Sequence, residues 1–232
     1  MSNETIFFLQ MIFCFTCVLI ANRLGYAYLV ALVSVMAVVM NLFVIKQFNL
    51  FGFEITGGNV LYANIFVATD LISEHRSRRL SHDAVMIGFF TSLFFLAITQ
   101  FALWYHPNHR DFAHEPMKVL FGFVPRIVAS SMVSYLIAQN LDIVLFHAIR
   151  NSTESKYLWL RNNVATMTAQ LVDTVVFSTL AFAGAGYNLF DMILFTYLVK
   201  VFVALCDTPF VYLSYLSIFR PTDRTGENEN VR

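Results

Sequence analysis

The chain has 232 residues, 58% of them hydrophobic, with fifteen basic and fifteen acidic side chains, a formal net charge of zero and a mean hydropathy of +0.64. Its 13% of charged residues lies far below the ~25% of soluble domains, which excludes an ordinary soluble fold. No basic run alternates with aromatic residues, so nucleic acid is not an expected partner.

In chain order, apolar runs close to the ~20 residues that a spanning helix needs lie at about 5–22, 26–46, 57–74, 83–105, 118–148, 162–183 and 189–218. The expected fold class is all-α, a polytopic membrane helix bundle of six to seven transmembrane helices with the lipid bilayer around it. Residues 1–219 read as a single transmembrane domain and residues 220–232, beginning RPTDRTGE, as a disordered cytoplasmic tail. The first span carries Glu4 in place of a basic leader, so it reads as a retained helix rather than a signal peptide. Cys14, Cys17 and Cys206 all fall in apolar runs, and the Cys14–Cys17 pair lacks a redox or metal context.

The third span, GGNVLYANIFVATDLISE, carries Asn59, Asn64 and Asp70 and ends on Glu74. A carboxylate near the bilayer centre costs at least ~2.5 kcal/mol, so such residues face a bundle interior or a water-filled cavity. At 100° per residue Asn59 and Asp70 fall about 20° apart and Glu74 about 40° further round, with Asn64 well off that face. Gly57-Gly58, after the interrupted run FGFEIT, reads as a glycine-broken start to a short helix, a pointer to a transport site.

The loop WYHPNHRDFAHEP holds His106, His109 and His114, but no ligand-rich helix backs them, and no metal centre is expected there. With the C-terminus in the cytoplasm and seven alternating helices, ten Lys and Arg residues fall in cytoplasmic segments against three outside. The positive-inside bias therefore places the N-terminus outside and the C-terminus in the cytoplasm.

The later spans carry polar stripes. Arg126 follows Pro125, with Ser130 and Asn140 further along. Asn162, Thr166, Gln170 and Asp173 fall within an arc of about 80°, and Lys200 and Asp207, seven apart, are nearly eclipsed. Asp173 lies near the middle of its span, with Lys200 roughly 6 Å to the outer side of its own midpoint and Asp207 roughly 5 Å to the inner side. Pro209 frees the carbonyl of Leu205 one turn back, which is tolerated in a membrane where protein or cavity water meets it. Tyr62, Phe66 and Tyr197 flank the polar faces and suit a flat ligand.

The segments GGNVLYANIFVATDLISE, PRIVASSMVSYLIAQNLDIVLFH, WLRNNVATMTAQLVDTVVF and YLVKVFVALCDTPF resemble signature stretches of the queuosine precursor transporter family, also called the vitamin uptake transporter family. The resemblance covers roughly residues 24–217. It departs at Ser77, where members often have a glycine. It implies a carrier in the bacterial cytoplasmic (inner) membrane that imports 7-cyano- or 7-aminomethyl-7-deazaguanine, or queuine, for tRNA queuosine modification. The guanine edge offers two N–H donors to one carboxylate, and its carbonyl wants a donor from Asn, Gln, Arg or Lys. The expected substrate-binding set is Asn59, Asp70, Arg126, Asn162, Gln170, Asp173, Lys200 and Asp207, with no catalytic residue, metal or cofactor. Asp173 or Asp70 would read the guanine edge, and Asp207 would carry a coupling proton or pair with Lys200.

Two other classes compete. A substrate-capture subunit, similar to those of energy-coupling-factor uptake systems, would depend on a separate energising ATPase. An intramembrane enzyme is disfavoured by the lack of a Ser-His pair, an H-E-x-x-H or a cofactor motif.

Overall fold

The computed structural model describes the backbone of residues 1–152, 158–184, 186, 188–216, 218–219 and 221. Side chains are described there except at 54, 73, 74, 78, 139, 140, 142, 143, 146, 147, 150–152, 158–163, 165, 166 and 204–212. The expected tail at 220–232 thus falls almost wholly outside the described residues. The elements run α1 (Asn3–Leu24), α2 (Tyr26–Phe43), β1 (Gln47–Leu50), β2 (Phe53–Thr56), α3 (Asn59–His75), α4 (Arg78–Trp104), α5 (His114–Ser152), α6 (Leu158–Phe182) and α7 (Leu189–Leu213). This is the helical membrane architecture the composition implies. Among the described residues α1, α2, most of α4 and the first part of α5 are long and apolar enough to cross a bilayer. Two compact units divide the chain: Met1–Val124 with the chain from Phe202 onward, and Pro125–Val201.

Local chemistry sets the helix ends of the first unit. Ser2 accepts the N–H of Thr5 at 3.3 Å to cap α1, and Ser77 accepts that of Leu80 at 3.2 Å to cap α4. Ser77 is the position where the resemblance expects glycine; its backbone is extended, so a capping serine fits there without strain. Gly25, at φ 128°, joins α1 to α2 as a single residue, a geometry that favours glycine.

A hairpin, absent from the helical reading, follows α2. β1 and β2 pair antiparallel with Leu50 opposite Phe53, so Phe51 and Gly52 form a two-residue turn with φ of 51° and 85°. Such turns signal themselves in sequence mainly as Asn-Gly or Asp-Gly, and Phe-Gly does not. The turn is held from outside: Glu4 accepts the Phe51 N–H at 3.1 Å and Asn3 donates to the Asn49 carbonyl at 2.8 Å.

The chain leaves the hairpin through Gly57, whose N–H donates to the Lys46 carbonyl at 2.8 Å. A Cβ on Gly57 would meet the Phe43 carbonyl at 2.8 Å, and one on Gly58 the Met40 carbonyl at 3.1 Å. The glycine pair thus has a packing reason of its own: it lets the strand return lie against the last turn of α2.

α3 packs against α1, α2 and α4. Its buried stripe is Val60, Asn64, Val67, Ala68, Leu71 and Ile72, which follows the i, i+4, i+7 spacing of a core-facing helix. Its C-terminal end is tied down by polar contacts. Arg76 donates to the Asn22 side-chain oxygen at 3.0 Å and to the Asn22 carbonyl at 3.2 Å, and Asn22 donates to the Phe219 carbonyl at 3.2 Å. His75 hydrogen-bonds Ser214 at 2.8 Å and lies against the Tyr215 ring. The ends of α1 and α3 and the segment after α7 therefore meet, as an alternating helix order requires.

Pro125 interrupts α5. A proline has no N–H and leaves the carbonyl four residues back without its helical donor. That carbonyl belongs to Phe121, and Gln100 of α4 donates to it at 3.3 Å. The proline break is thus answered by one amide from a neighbouring helix.

Candidate functional site

In the second unit, the buried residues among those described in α6 are Ala169, Asp173, Thr174, Ser178, Ala181 and Phe182, and those of α7 include Met192, Thr196 and Lys200. The four-residue steps along α7 put two polar groups on its covered face. Lys200 donates to Oδ2 of Asp173 at 2.9 Å and to Oγ1 of Thr174 at 3.0 Å, and both members of the ion pair are 7% accessible. Thr174 in turn donates to the Gln170 carbonyl at 2.8 Å, so its hydroxyl proton points into its own helix and a lone pair faces the ammonium. Two charges and one oriented hydroxyl thus form a compact polar centre between two membrane helices.

Arg126 reaches the other end of α6. Its Nε donates to the Leu180 carbonyl at 2.8 Å and its Nη2 to the Ala183 carbonyl at 2.6 Å. These are the acceptors a helix leaves unmet in its last turn, and a cation there is favoured by the helix dipole. Gln170 is half-buried one turn before Asp173. The side chains of Asn162 and Asp207, like those of Asn140, Thr166 and Pro209, lie outside those described.

Asn59 and Asp70 belong to the first unit. Asn59 is buried and its Nδ2 has no partner among the described residues. Asp70 is exposed. The two share a helical face by count, yet one is covered and the other is open. Asn64, off that face, is wholly buried; its Nδ2 donates to the Val60 carbonyl at 2.8 Å while its Oδ1 has no partner among the described residues. Tyr62 and Phe66 stand edge-to-face with centroids 4.9 Å apart. Of the eight nominated residues, the structure brings Asp173 and Lys200 together.

Sequence reasoning overlooked Thr174, Gln100 and the Asn22–Arg76 contact. A threonine next to a buried acid is a weak signal, and Gln100 becomes meaningful only once Pro125 is seen to need a donor.

Residues 56–214 match the family described as "Putative vitamin uptake transporter". That stretch covers about two thirds of the chain and contains all eight nominated residues. The chain belongs to this family. Among curated proteins, it is similar to the "Probable queuosine precursor transporter" of Bacillus subtilis (strain 168), 36% identical over 175 residues, which is 74% of this chain and 76% of that protein. It is also similar to the "Queuosine precursor transporter" of Escherichia coli (strain K12), at 27% identity over 58% of each chain. The "Probable queuosine precursor transporter" of Haemophilus influenzae is 26% identical over 58% of this chain and 54% of that protein. No solved structure matches. As a vitamin uptake transporter family member the chain is an integral membrane protein, and its polar centre lies on helices that the family match includes.

Proposed function

We propose that this chain is an inner-membrane carrier importing 7-deazaguanine queuosine precursors for tRNA modification, and that it performs no covalent chemistry on them. The observation that carries the reading is the buried Asp173–Lys200 pair with Thr174. Buried charges in membrane helices are expensive and mark substrate or ion pathways, and the names of the similar proteins supply the substrate class. Asp173 accepts the ring N–H and exocyclic amine of the guanine edge. Lys200 holds the carboxylate in the empty carrier and keeps its bond to Thr174 when the base arrives. Asn162 and Gln170 offer amides to the ring carbonyl and nitrogens, and Asn59 serves substrate passage within the first unit. Arg126 balances charge, while Asp70 and Asp207 serve a second contact or a coupling proton. Residues 1–219 act as one transmembrane domain, with the N-terminus outside and the C-terminus cytoplasmic, as the distribution of Lys and Arg supports.

The test is uptake of labelled 7-cyano- and 7-aminomethyl-7-deazaguanine and queuine into proteoliposomes containing this chain alone, with and without a proton gradient. Saturable uptake of at least one is expected. Folded, inserted protein that takes up none of them removes the reading.

A further inference from the structure

A threonine inside a helix commonly spends its hydroxyl on its own backbone. Thr16, Thr91, Thr168, Thr174 and Thr179 each donate to the carbonyl four residues back, at 2.7 or 2.8 Å. Thr196 on α7 does not. The residue is 6% accessible, and its Oγ1 is buried with no hydrogen-bond partner among the described residues. Two lines of geometry, both within the second unit, bring that hydroxyl to the polar centre. Thr196 and Lys200 are both buried and stand one turn apart on the same face of α7. A helical lysine stem leans back over the turn N-terminal to it. The Lys200 ammonium, 2.9 Å from Asp173 and 3.0 Å from Thr174, therefore reaches toward the level of Thr196. The connection between the helices gives the same level. Thr196 lies seven residues past Leu189, where α7 begins, and Val175 lies seven before Phe182, where α6 ends. At ~1.5 Å per residue both stand about 10 Å from the connection, so Asp173, Thr174 and Thr196 fall within about one turn of each other.

We propose that Thr196 is a further substrate-binding residue, its hydroxyl donating to the ring carbonyl of the base that Asp173 holds. The proposal rests on the deazaguanine reading with Asp173 at the guanine edge. There the carboxylate takes the ring N–H and the exocyclic amine. The group on the other side of that ring N–H is the carbonyl, an acceptor, which a carboxylate cannot serve and a hydroxyl can. A carbonyl oxygen has two lone pairs, so an amide and a hydroxyl can meet it together. Burying a hydroxyl without a partner carries a free-energy penalty. At Thr196 that penalty is offset only when the base arrives, which makes the hydroxyl a binding device and not a packing one.

The experiment is a thermal-shift titration of the full chain in detergent with 7-cyano-7-deazaguanine, 7-aminomethyl-7-deazaguanine and queuine, on the parent, Thr196→Val and Thr196→Ser. Valine keeps the shape of threonine and removes the hydroxyl. Without ligand, Thr196→Val is expected to melt at or above the parent temperature, because an unpartnered polar atom has been replaced by an apolar one. With ligand it is expected to bind roughly three- to tenfold more weakly, the worth of one hydrogen bond. The factor should be similar for every base that the parent binds, since the ring carbonyl is common to all three. Thr196→Ser keeps the hydroxyl and should bind close to the parent. A Thr196→Val that melts well below the parent without ligand, or fails to fold, shows a structural hydroxyl and overturns the proposal. Parental affinity in that variant, or a loss confined to one of several bound bases, overturns it too, and each of these results leaves the deazaguanine reading standing. A parent chain that responds to none of the three bases overturns both.

Discussion

Lys200 on α7 meets Asp173 on α6 at 2.9 Å in a pair that is nearly closed to solvent, with Thr174 as the second partner of the ammonium. Removing one member of a buried pair costs about 3–5 kcal/mol because the other charge is left uncompensated, whereas replacing both is often close to neutral. Asp173→Asn and Lys200→Met should each lower the melting temperature in detergent sharply, and the double variant should recover most of the loss. The double variant is expected to be folded and inactive in uptake. Parental uptake by it would reduce the pair to a packing device.

Thr174 makes a subtler prediction. Thr174→Val keeps the shape and removes a hydroxyl acceptor of the Lys200 ammonium, so a stability loss of about 1.5–3 kcal/mol is expected, the range for hydrogen bonds to charged groups. Thr174→Ser should retain the bond and stay close to the parent. Melting curves of the two variants, measured side by side, check this. Equal behaviour would mean that the hydroxyl is idle.

The Gln100–Phe121 contact is open to a double-mutant cycle. Gln100→Leu leaves the Phe121 carbonyl without its described donor, at an expected cost of about 1–2 kcal/mol. With Pro125→Ala the residue at 125 regains an N–H for that carbonyl, so the penalty of Gln100→Leu should shrink in the alanine background. A coupling of about 0.5 kcal/mol or more is expected for groups in direct contact. Strict additivity would show that the amide and the proline are unrelated.

The helices were legible because apolar run length and the bilayer's thickness fix them together, and the polar stripes because helical periodicity fixes relative angle. Periodicity says nothing about which stripe faces which. It placed Lys200 nearly eclipsed with Asp207, whose side chain lies outside those described, and could not name Asp173 on α6, which the structure sets against Lys200. The estimated offset in depth between the two was no obstacle, since a lysine stem is long enough to span it. The hairpin was hidden for another reason: Phe51 at positive φ is unusual, and its support comes from Glu4 and Asn3, far away in sequence. Likewise Gly57-Gly58 drew attention as a helix break, and its tight approach to α2 becomes visible only in three dimensions.

That approach gives the next prediction. Gly57→Ala would put a methyl group 2.8 Å from the Phe43 carbonyl, a backbone atom that cannot swing away, while Gly58→Ala meets Met40 at 3.1 Å. Overpacking of this kind typically costs about 1–3 kcal/mol, and Gly57→Ala should be the worse of the two. Melting temperatures decide it, and a harmless Gly57→Ala would contradict the packing account of the glycine pair.

Asp70 gives a prediction for the first unit by itself. It is exposed on α3, and no described side chain pairs with it, in contrast to the enclosed Asp173. Removing its charge leaves no described partner stranded, so Asp70→Asn should change stability by no more than about 0.5 kcal/mol, as for surface substitutions. A carboxylate kept on an apolar segment is nonetheless expensive, and its retention is explained by a cavity, a ligand or a proton path. Uptake by Asp70→Asn is therefore expected to fall at least tenfold, a barrier increase of about 1.4 kcal/mol, while the melting temperature holds. Asp70→Glu, which keeps the charge on a longer stem, should recover part of the rate. If Asp70→Asn transports at the parental rate with unchanged stability, Asp70 has no place in the transport path, and the first unit's contribution would fall to Asn59 and Asp207.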